Sequence, residues 1–105
     1  MPQIIFKGVR EEHVADMSQL LVDALSKATE SPRDYFTLEC PTTRYIFDGK
    51  IHPMYPLVEV KWFDRGETMK KHTARIIGDF LKEKGYTGIE VFFTNLKPED
   101  YFELG

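Results

Sequence analysis

The residue with the clearest chemical potential is Pro2, which directly follows Met1 and precedes the apolar run Ile4-Ile5-Phe6. An aminopeptidase normally removes Met1 before a small residue, so the mature chain would begin with a secondary amine. A free α-amino group has a pKa of about 7.7–8.0, and burial in an apolar pocket lowers it further because desolvation disfavours the cation. Such an amine can be a general base at about pH 7. The alternative, which the dipeptide alone favours, is that Pro2 only begins an edge strand, where its missing N–H costs nothing.

Three histidines and one cysteine are further candidates for reactive side chains. The spacing of His13, His52 and His72 matches no metal-binding motif. His13 and His72 are predicted on the polar sides of two helices as solvated side chains, and His52 in a loop, with a pocket role as the alternative. Cys40 is the only cysteine, which excludes intrachain disulfides, and it is predicted to be a small buried hydrophobic residue. The sequence predicts no metal site and no cofactor.

Size and charge exclude several classes of protein. The chain has 105 residues, which predicts a single domain over residues 1–105. The 14 basic and 17 acidic residues give a formal net charge of −3 and form no basic stripe, so no nucleic-acid partner is expected. Because no apolar run could span a membrane and no signal peptide is recognisable, we expect a cytoplasmic protein without a membrane partner.

The order of the predicted elements is β-α-β, connector, β-α-β. In the first unit, residues 2–8 predict a strand, residues 11–28 a helix with apolar residues three and four apart, and residues 35–40 a strand with alternating apolar side chains. Residues 41–55 form an irregular connector, in which Asp48-Gly49 indicates a short hairpin.

The second unit repeats this order. Residues 56–63 predict a strand, residues 67–84 a helix and residues 88–94 a strand. Residues 97–102 predict one helical turn with Pro98 at its first position.

The two units are interpreted as pseudo-repeats, at about residues 2–44 and 56–95. Two such units can build one four-stranded sheet with both helices on the same face, which is an α/β fold of the α+β type. The other face of the sheet is predicted to carry the charged residues Glu39, Glu59, Lys61 and Glu90. That face is either a solvated surface or the lining of a subunit interface or channel.

With these elements in place, essentially the whole chain resembles the tautomerase superfamily, which includes 4-oxalocrotonate tautomerase and macrophage migration inhibitory factor. The resemblance rests on Met1-Pro2 at the head of the first strand and on the duplicated β-α-β order. It also rests on three segments in matching positions, Lys7-Gly8-Val9-Arg10, Ser31-Pro32-Arg33-Asp34-Tyr35-Phe36 and Tyr45-Ile46-Phe47-Asp48-Gly49. The chain is most similar to an uncharacterised bacterial branch, through Trp62-Phe63-Asp64-Arg65-Gly66 and Leu96-Lys97-Pro98-Glu99-Asp100-Tyr101.

The resemblance implies a homotrimer in which the amino-terminal proline lies in a hydrophobic pocket at a subunit boundary. The family proline moves a proton between carbon and oxygen in keto–enol tautomerisation, while cationic groups hold the carboxylate and the developing enolate of a small keto acid or diketone. Pro2 corresponds to the catalytic proline, Arg10 lies near a family arginine, and Phe47 lies where an aromatic pocket wall is often found. The strand of Glu39 would lie near Pro2, which makes Glu39 a candidate acid or orienting residue, with a structural salt bridge as the alternative.

Some substrate-binding residues of the family are replaced in this chain. The position of the second-strand arginine of 4-oxalocrotonate tautomerase falls near Thr37, and the lysine of macrophage migration inhibitory factor corresponds to Ser31. Arg44, Arg65 and Lys7 are possible replacements, with exposed surface cations as the alternative interpretation.

Three functions therefore stay open. The first is a tautomerase that acts through Pro2. The second is a non-catalytic trimeric binding protein of the same fold. The third is a ferredoxin-like module for small-molecule binding or interaction, because such domains share the β-α-β-β-α-β order.

Overall fold

The strand that follows Pro2 lies inside the sheet. In the computed structural model, which describes residues 1–105, β1 (Gln3–Lys7) pairs with a strand on each side. Ile4 and Phe6 are fully buried, because alternate side chains of a strand point to one face and the helices cover that face. The interpretation of Pro2 as the start of an edge strand is therefore wrong: Pro2 begins an inner strand and is itself buried.

The first half of the chain connects two parallel strands through a helix. The buried residues of α1 (Glu11–Thr29) recur three and four positions apart, at Val14, Met17, Leu21 and Leu25. The helix ends at Glu30, whose φ of 54° is left-handed. A short 3-10 turn, Arg33–Tyr35, comes next, so β2 (Thr37–Glu39) begins two residues later than the strand predicted at 35–40.

A hairpin separates the two halves, as the Asp48-Gly49 pair indicated. β3 (Tyr45–Phe47) and β4 (Lys50–His52) pair antiparallel and form their own two-stranded sheet. Asp48 and Gly49 have positive φ angles of 54° and 77°, which a two-residue hairpin turn requires. The hairpin leaves apolar surface uncovered, and Ile46 exposes 73% of its area.

The second half repeats the arrangement with β5 (Leu57–Trp62), α2 (Glu67–Glu83) and β6 (Glu90–Asn95). β5 is antiparallel to β1 and parallel to β6, so the strand order is β2-β1-β5-β6. Both helices pack on one face of this sheet, and the predicted fold class is confirmed. Because β1 and β2 pair directly, the sheet lacks the split β-α-β unit of ferredoxin-like domains, and that alternative fold is wrong. The duplicated origin of the halves stays a prediction.

The core lies between the sheet and the helices and contains 11 buried apolar residues. Trp62 is the largest of them; its indole N–H donates to Asn95 Oδ1 at 2.9 Å, and its ring lies 4.8 Å from that of Phe93. Glu59 lies on the opposite face of the sheet, as predicted, and accepts a hydrogen bond from Thr94 Oγ1 at 2.6 Å. Neither helix is long and apolar enough to cross a membrane.

His13 has a different environment from the one predicted. It is half-buried, its Nδ1 lies 2.6 Å from the Tyr86 hydroxyl, and the two rings meet edge to face. The same hydroxyl accepts the backbone N–H of Arg10 at 3.0 Å, so its own proton is free for the imidazole. The prediction of a solvated His13 is wrong because Tyr86 packs over the first turn of α1, a contact that helical periodicity does not encode.

Thr73 offers a test of the packing of α2. Its side chain is 2% exposed and its hydroxyl has no hydrogen-bond partner. A buried unsatisfied hydroxyl costs about 1–3 kcal/mol, so Thr73→Val should raise the free energy of unfolding by about 1 kcal/mol in urea denaturation. Thr68→Val, at an exposed position of the same helix, is the matched control and should change stability by less than about 0.5 kcal/mol. A loss of stability in the Thr73 variant would contradict the expectation.

Candidate functional site

The two halves of the chain converge on the amino terminus. β2 is parallel to β1 and starts at the same end, where the Thr37 N–H donates to the Pro2 carbonyl at 3.1 Å. β5 is antiparallel to β1, so its last residue, Trp62, and the following Phe63 lie at this end. β6 runs alongside β5, and the Leu96 N–H donates to the Trp62 carbonyl at 2.7 Å. Residues 96–105, which we call the C-terminal strap, therefore begin at the same end of the sheet.

The amino group lies in a partly desolvated environment. The Met1 α-amine donates a hydrogen bond to the Tyr35 carbonyl at 2.8 Å, and Pro2 is buried. Burial lowers the pKa of this amine, the negative charge of Glu103 raises it, and the positive charge of Arg65 lowers it. Desolvation is the largest of these effects, so the site favours a neutral amine.

A cavity of about 390 Å³ lies beside the amine, and we call it the amino-terminal cavity. Its aromatic walls include Phe63 and Tyr101, whose rings meet edge to face with centroids 5.4 Å apart. Its lining thus combines the amine with apolar rings and three charged side chains, and comprises Met1, Asp34, Tyr35, Phe63, Arg65, Tyr101 and Glu103. Apolar walls with a few polar groups are the usual make-up of a small-molecule site.

Arg65 is held in the amino-terminal cavity by the end of α1. Its Nη1 donates to the Thr29 carbonyl at 3.1 Å, and its Nη2 donates to Ser31 Oγ at 2.8 Å. The last carbonyls of a helix lack intrahelical partners and carry partial negative charge, so a cation is stabilised there. These bonds use two of the five guanidinium N–H groups, and the other three can donate to a ligand.

The contact with Ser31 places the Arg65 guanidinium near the position of a family lysine. Ser31 is the position at which the family resemblance placed a lysine, and the guanidinium of Arg65 reaches its hydroxyl from the other half of the chain. Of the cations considered as replacements, Arg65 lines the amino-terminal cavity.

Lys7 and Phe47 lie at the opposite end of β1. Lys7 lies five positions along the strand from Pro2, a span of about 17 Å. There they line a second cavity of about 470 Å³, the hairpin cavity, with Thr43, Tyr45, Ile46, His52, Tyr55 and Leu57. His52 is in β4 and not in the loop predicted for it; its ring packs edge to face on Phe47, with centroids 5.5 Å apart.

Arg10 and Glu39 are also outside the amino-terminal cavity. Arg10 precedes α1, is exposed, and forms an ion pair with Glu12, a kind of surface contact that adds little stability. Glu39 is exposed and is paired in register with Ile5, about 10 Å along the strand from Pro2. Within one chain, therefore, the structure brings Arg65 to the amino terminus and leaves Arg10, Lys7, Phe47 and Glu39 away from it.

Four cavity residues were missed by reasoning from the sequence: Asp34, Tyr35, Tyr101 and Glu103. Phe63 was singled out only within the segment Trp62-Phe63-Asp64-Arg65-Gly66, which carries the family resemblance. The missing signal was strand direction. β1 and β2 run in one direction, and β5 and β6 run in the opposite direction. The starts of β1 and β2 therefore lie at the same end of the sheet as the ends of β5 and β6. Residues that precede β2 or follow β6 must then surround the amino terminus.

The fold of this chain is shared with solved structures of macrophage migration inhibitory factor-like and cis-3-chloroacrylic acid dehalogenase-like proteins. A macrophage migration inhibitory factor-like protein from Entamoeba histolytica is similar, with a TM-score of 0.73 and 18% identity over 97% of this chain and 94% of that one. N1, a member of the cis-3-chloroacrylic acid dehalogenase family, has a TM-score of 0.74 at 14% identity over 98% of this chain and 80% of its own. At such identities the similarity establishes the fold.

The chain belongs to the family named Domain of unknown function (DUF1904), whose model matches residues 1–105. The crystal structure of a DUF1904 domain from Sebaldella termitidis ATCC 33386 has a TM-score of 0.91 and 32% identity, over 98% of this chain and 95% of that one. No curated protein matches the chain. The predicted resemblance is confirmed in two respects: the chain shares its fold with tautomerase-superfamily structures, and its own family, DUF1904, is an uncharacterised one with a bacterial member of known structure.

Proposed function

We propose that the protein is a keto–enol tautomerase that uses the Pro2 amine as its general base once Met1 has been removed. The observation that carries the proposal is the partly desolvated amino terminus beside Arg65, in a cavity with aromatic walls. Burial at this terminus favours the neutral form of an amine, and the guanidinium supplies a site for an anionic substrate. The expected substrate is a small keto acid.

The proposed reaction moves one proton from oxygen to carbon. The neutral Pro2 amine takes the proton of the enol hydroxyl, and the electron pair shifts through the enolate towards carbon. The resulting prolinium ion gives a proton to that carbon, which forms the ketone and restores the amine. Arg65 binds the substrate carboxylate, and its positive charge favours the enolate that develops between the two transfers.

We further propose that residues 1–105 act as one domain and assemble as a homotrimer, in which neighbouring subunits complete the site. Support comes from apolar surface that one chain leaves open: Phe47 is 68% exposed on the hairpin, and Phe92 is 45% exposed on the face of the sheet away from the helices. A trimer would allow Arg10, Lys7, Phe47 and Glu39 to approach a neighbour's Pro2. Size-exclusion chromatography with light scattering tests the assembly, and a monomer would contradict it.

Arg65→Met tests the substrate-binding role. The substitution removes the guanidinium and keeps an apolar stem of similar length. A charged hydrogen bond contributes about 1.5–3 kcal/mol, so KM for phenylenolpyruvate ketonisation should rise by about 10- to 100-fold. Arg44→Met, an exposed arginine outside the cavity, is the matched control and should leave KM unchanged. If the two variants had the same KM, Arg65 would not bind the substrate.

A further inference from the structure

The C-terminal strap places a carboxylate over the amino-terminal cavity. A 3-10 turn, Pro98–Asp100, directs the chain back towards the amino terminus. Tyr101 then packs on Phe63, and Glu103 lines the cavity two residues later. Phe102 and Leu104 point away and are 75% and 93% exposed. The strap is therefore fixed to the sheet at Tyr101, and Glu103 is the residue that it contributes to the cavity rim.

The charges that one subunit places in its amino-terminal cavity do not suit a doubly charged anion. When the terminal amine is neutral, the lining has one cation, Arg65, and two carboxylates, Asp34 and Glu103. A ligand with one carboxylate can pair with Arg65 while its other end lies against the aromatic walls. A ligand with a second carboxylate meets no second cation in the lining that this subunit provides, and the two acids repel it.

We propose that Glu103 is a specificity-determining residue that makes the amino-terminal cavity select monoanions over dianions. The inference rests on the proposed function, since it concerns the substrate of the same site. Glu103 is the stronger candidate of the two acids because its charge, and not that of Asp34, acts on the terminal amine against the effect of Arg65. Its carboxylate therefore lies near the position where the reacting end of a substrate would bind.

The test compares two inert ligands that differ by one carboxylate. Phenylacetate and phenylmalonate are titrated into Met1-free protein and followed by NMR, for the wild type, Glu103→Gln and Glu99→Gln. Glu99 belongs to the same strap but does not line the cavity, so Glu99→Gln is a control with the same loss of charge. If the removed carboxylate lies about 7 Å from the second carboxylate of the ligand, in a medium of intermediate polarity, its charge changes the dissociation constant by roughly fivefold.

We expect Glu103→Gln to increase phenylmalonate affinity by about fivefold relative to phenylacetate, and Glu99→Gln to leave the ratio unchanged. High salt should reduce the difference, because exposed charges are screened. The proposal is overturned if the ratio of phenylmalonate affinity to phenylacetate affinity is the same in all three proteins. It is also overturned if the wild type does not bind phenylacetate. Because neither ligand reacts, selective binding without ketonisation of phenylenolpyruvate would overturn the proposed function and leave the selectivity standing.

Discussion

Met1-free protein with Pro2→Ala should ketonise phenylenolpyruvate at least about 10-fold more slowly than the Met1-free wild type. The primary amine of alanine can still accept a proton but is no longer fixed by the ring, so part of the roughly 10²–10⁴-fold contribution of general base catalysis is lost. Alanine also allows removal of Met1, so the two proteins have the same chain length and a free amino terminus. The variant loses the secondary amine and the ring that fixes the nitrogen at the head of β1. Initial rates of enol loss in the ultraviolet measure the effect.

Two measurements make this result specific to the amine. The first is intact mass, which shows whether Met1 is absent from both proteins; a retained Met1 turns the Pro2 nitrogen into a non-basic amide. The second is the pH profile. Protonation removes the base, so kcat/KM should fall as pH drops through the pKa of the Pro2 amine, which we expect below the ordinary value of an α-amine because Pro2 is buried. Equal rates for the wild type and the Pro2→Ala variant would end the proposed role of Pro2.

Gly8→Ala should lower the free energy of unfolding by about 3 kcal/mol, the largest effect on stability that we expect from a single methyl group. Gly8 has a φ of 73°, and an added Cβ would overlap the carbonyl group of Tyr55. Backbone strain and a collision with backbone therefore occur together. The end of the connector, at Tyr55 just before β5, would have to move away from the turn that follows β1. Equilibrium denaturation in guanidinium measures the change.

Gly49→Ala is the matched control for this experiment. Gly49 has a similar φ of 77°, but its Cβ would meet nothing within 4 Å. Alanine there should cost about 1 kcal/mol, from the left-handed conformation alone. The difference between the variants isolates the close approach of Gly8 to Tyr55. Equal losses of stability would mean that the connector adapts without cost.

The fold could be predicted from the sequence because its signals are local. The alternation of Val58, Val60 and Trp62, and the three- and four-residue spacing of α1, each follow from the geometry of a single element. The hairpin followed from Asp48-Gly49, whose backbone conformation a two-residue turn demands.

The candidate site was predicted only in part, because its contacts join distant segments. Pro2 was identified from its own chemistry. Arg65, in contrast, reaches Thr29 and Ser31 from more than 30 residues away, and Glu103 comes from the other end of the chain. Such contacts depend on the directions of four strands, which a one-dimensional pattern does not contain. The same limit explains why the contact between His13 and Tyr86, which are 73 residues apart, was not predicted.

The environment of Trp62 provides an optical signal for this site. It is the only tryptophan of the chain, and its indole is buried, hydrogen-bonded to Asn95 and packed on Phe93. Its carbonyl holds the start of the C-terminal strap, and the next residue, Phe63, forms a wall of the amino-terminal cavity. Tryptophan fluorescence therefore reports from one known position, between the core and the strap, without any label.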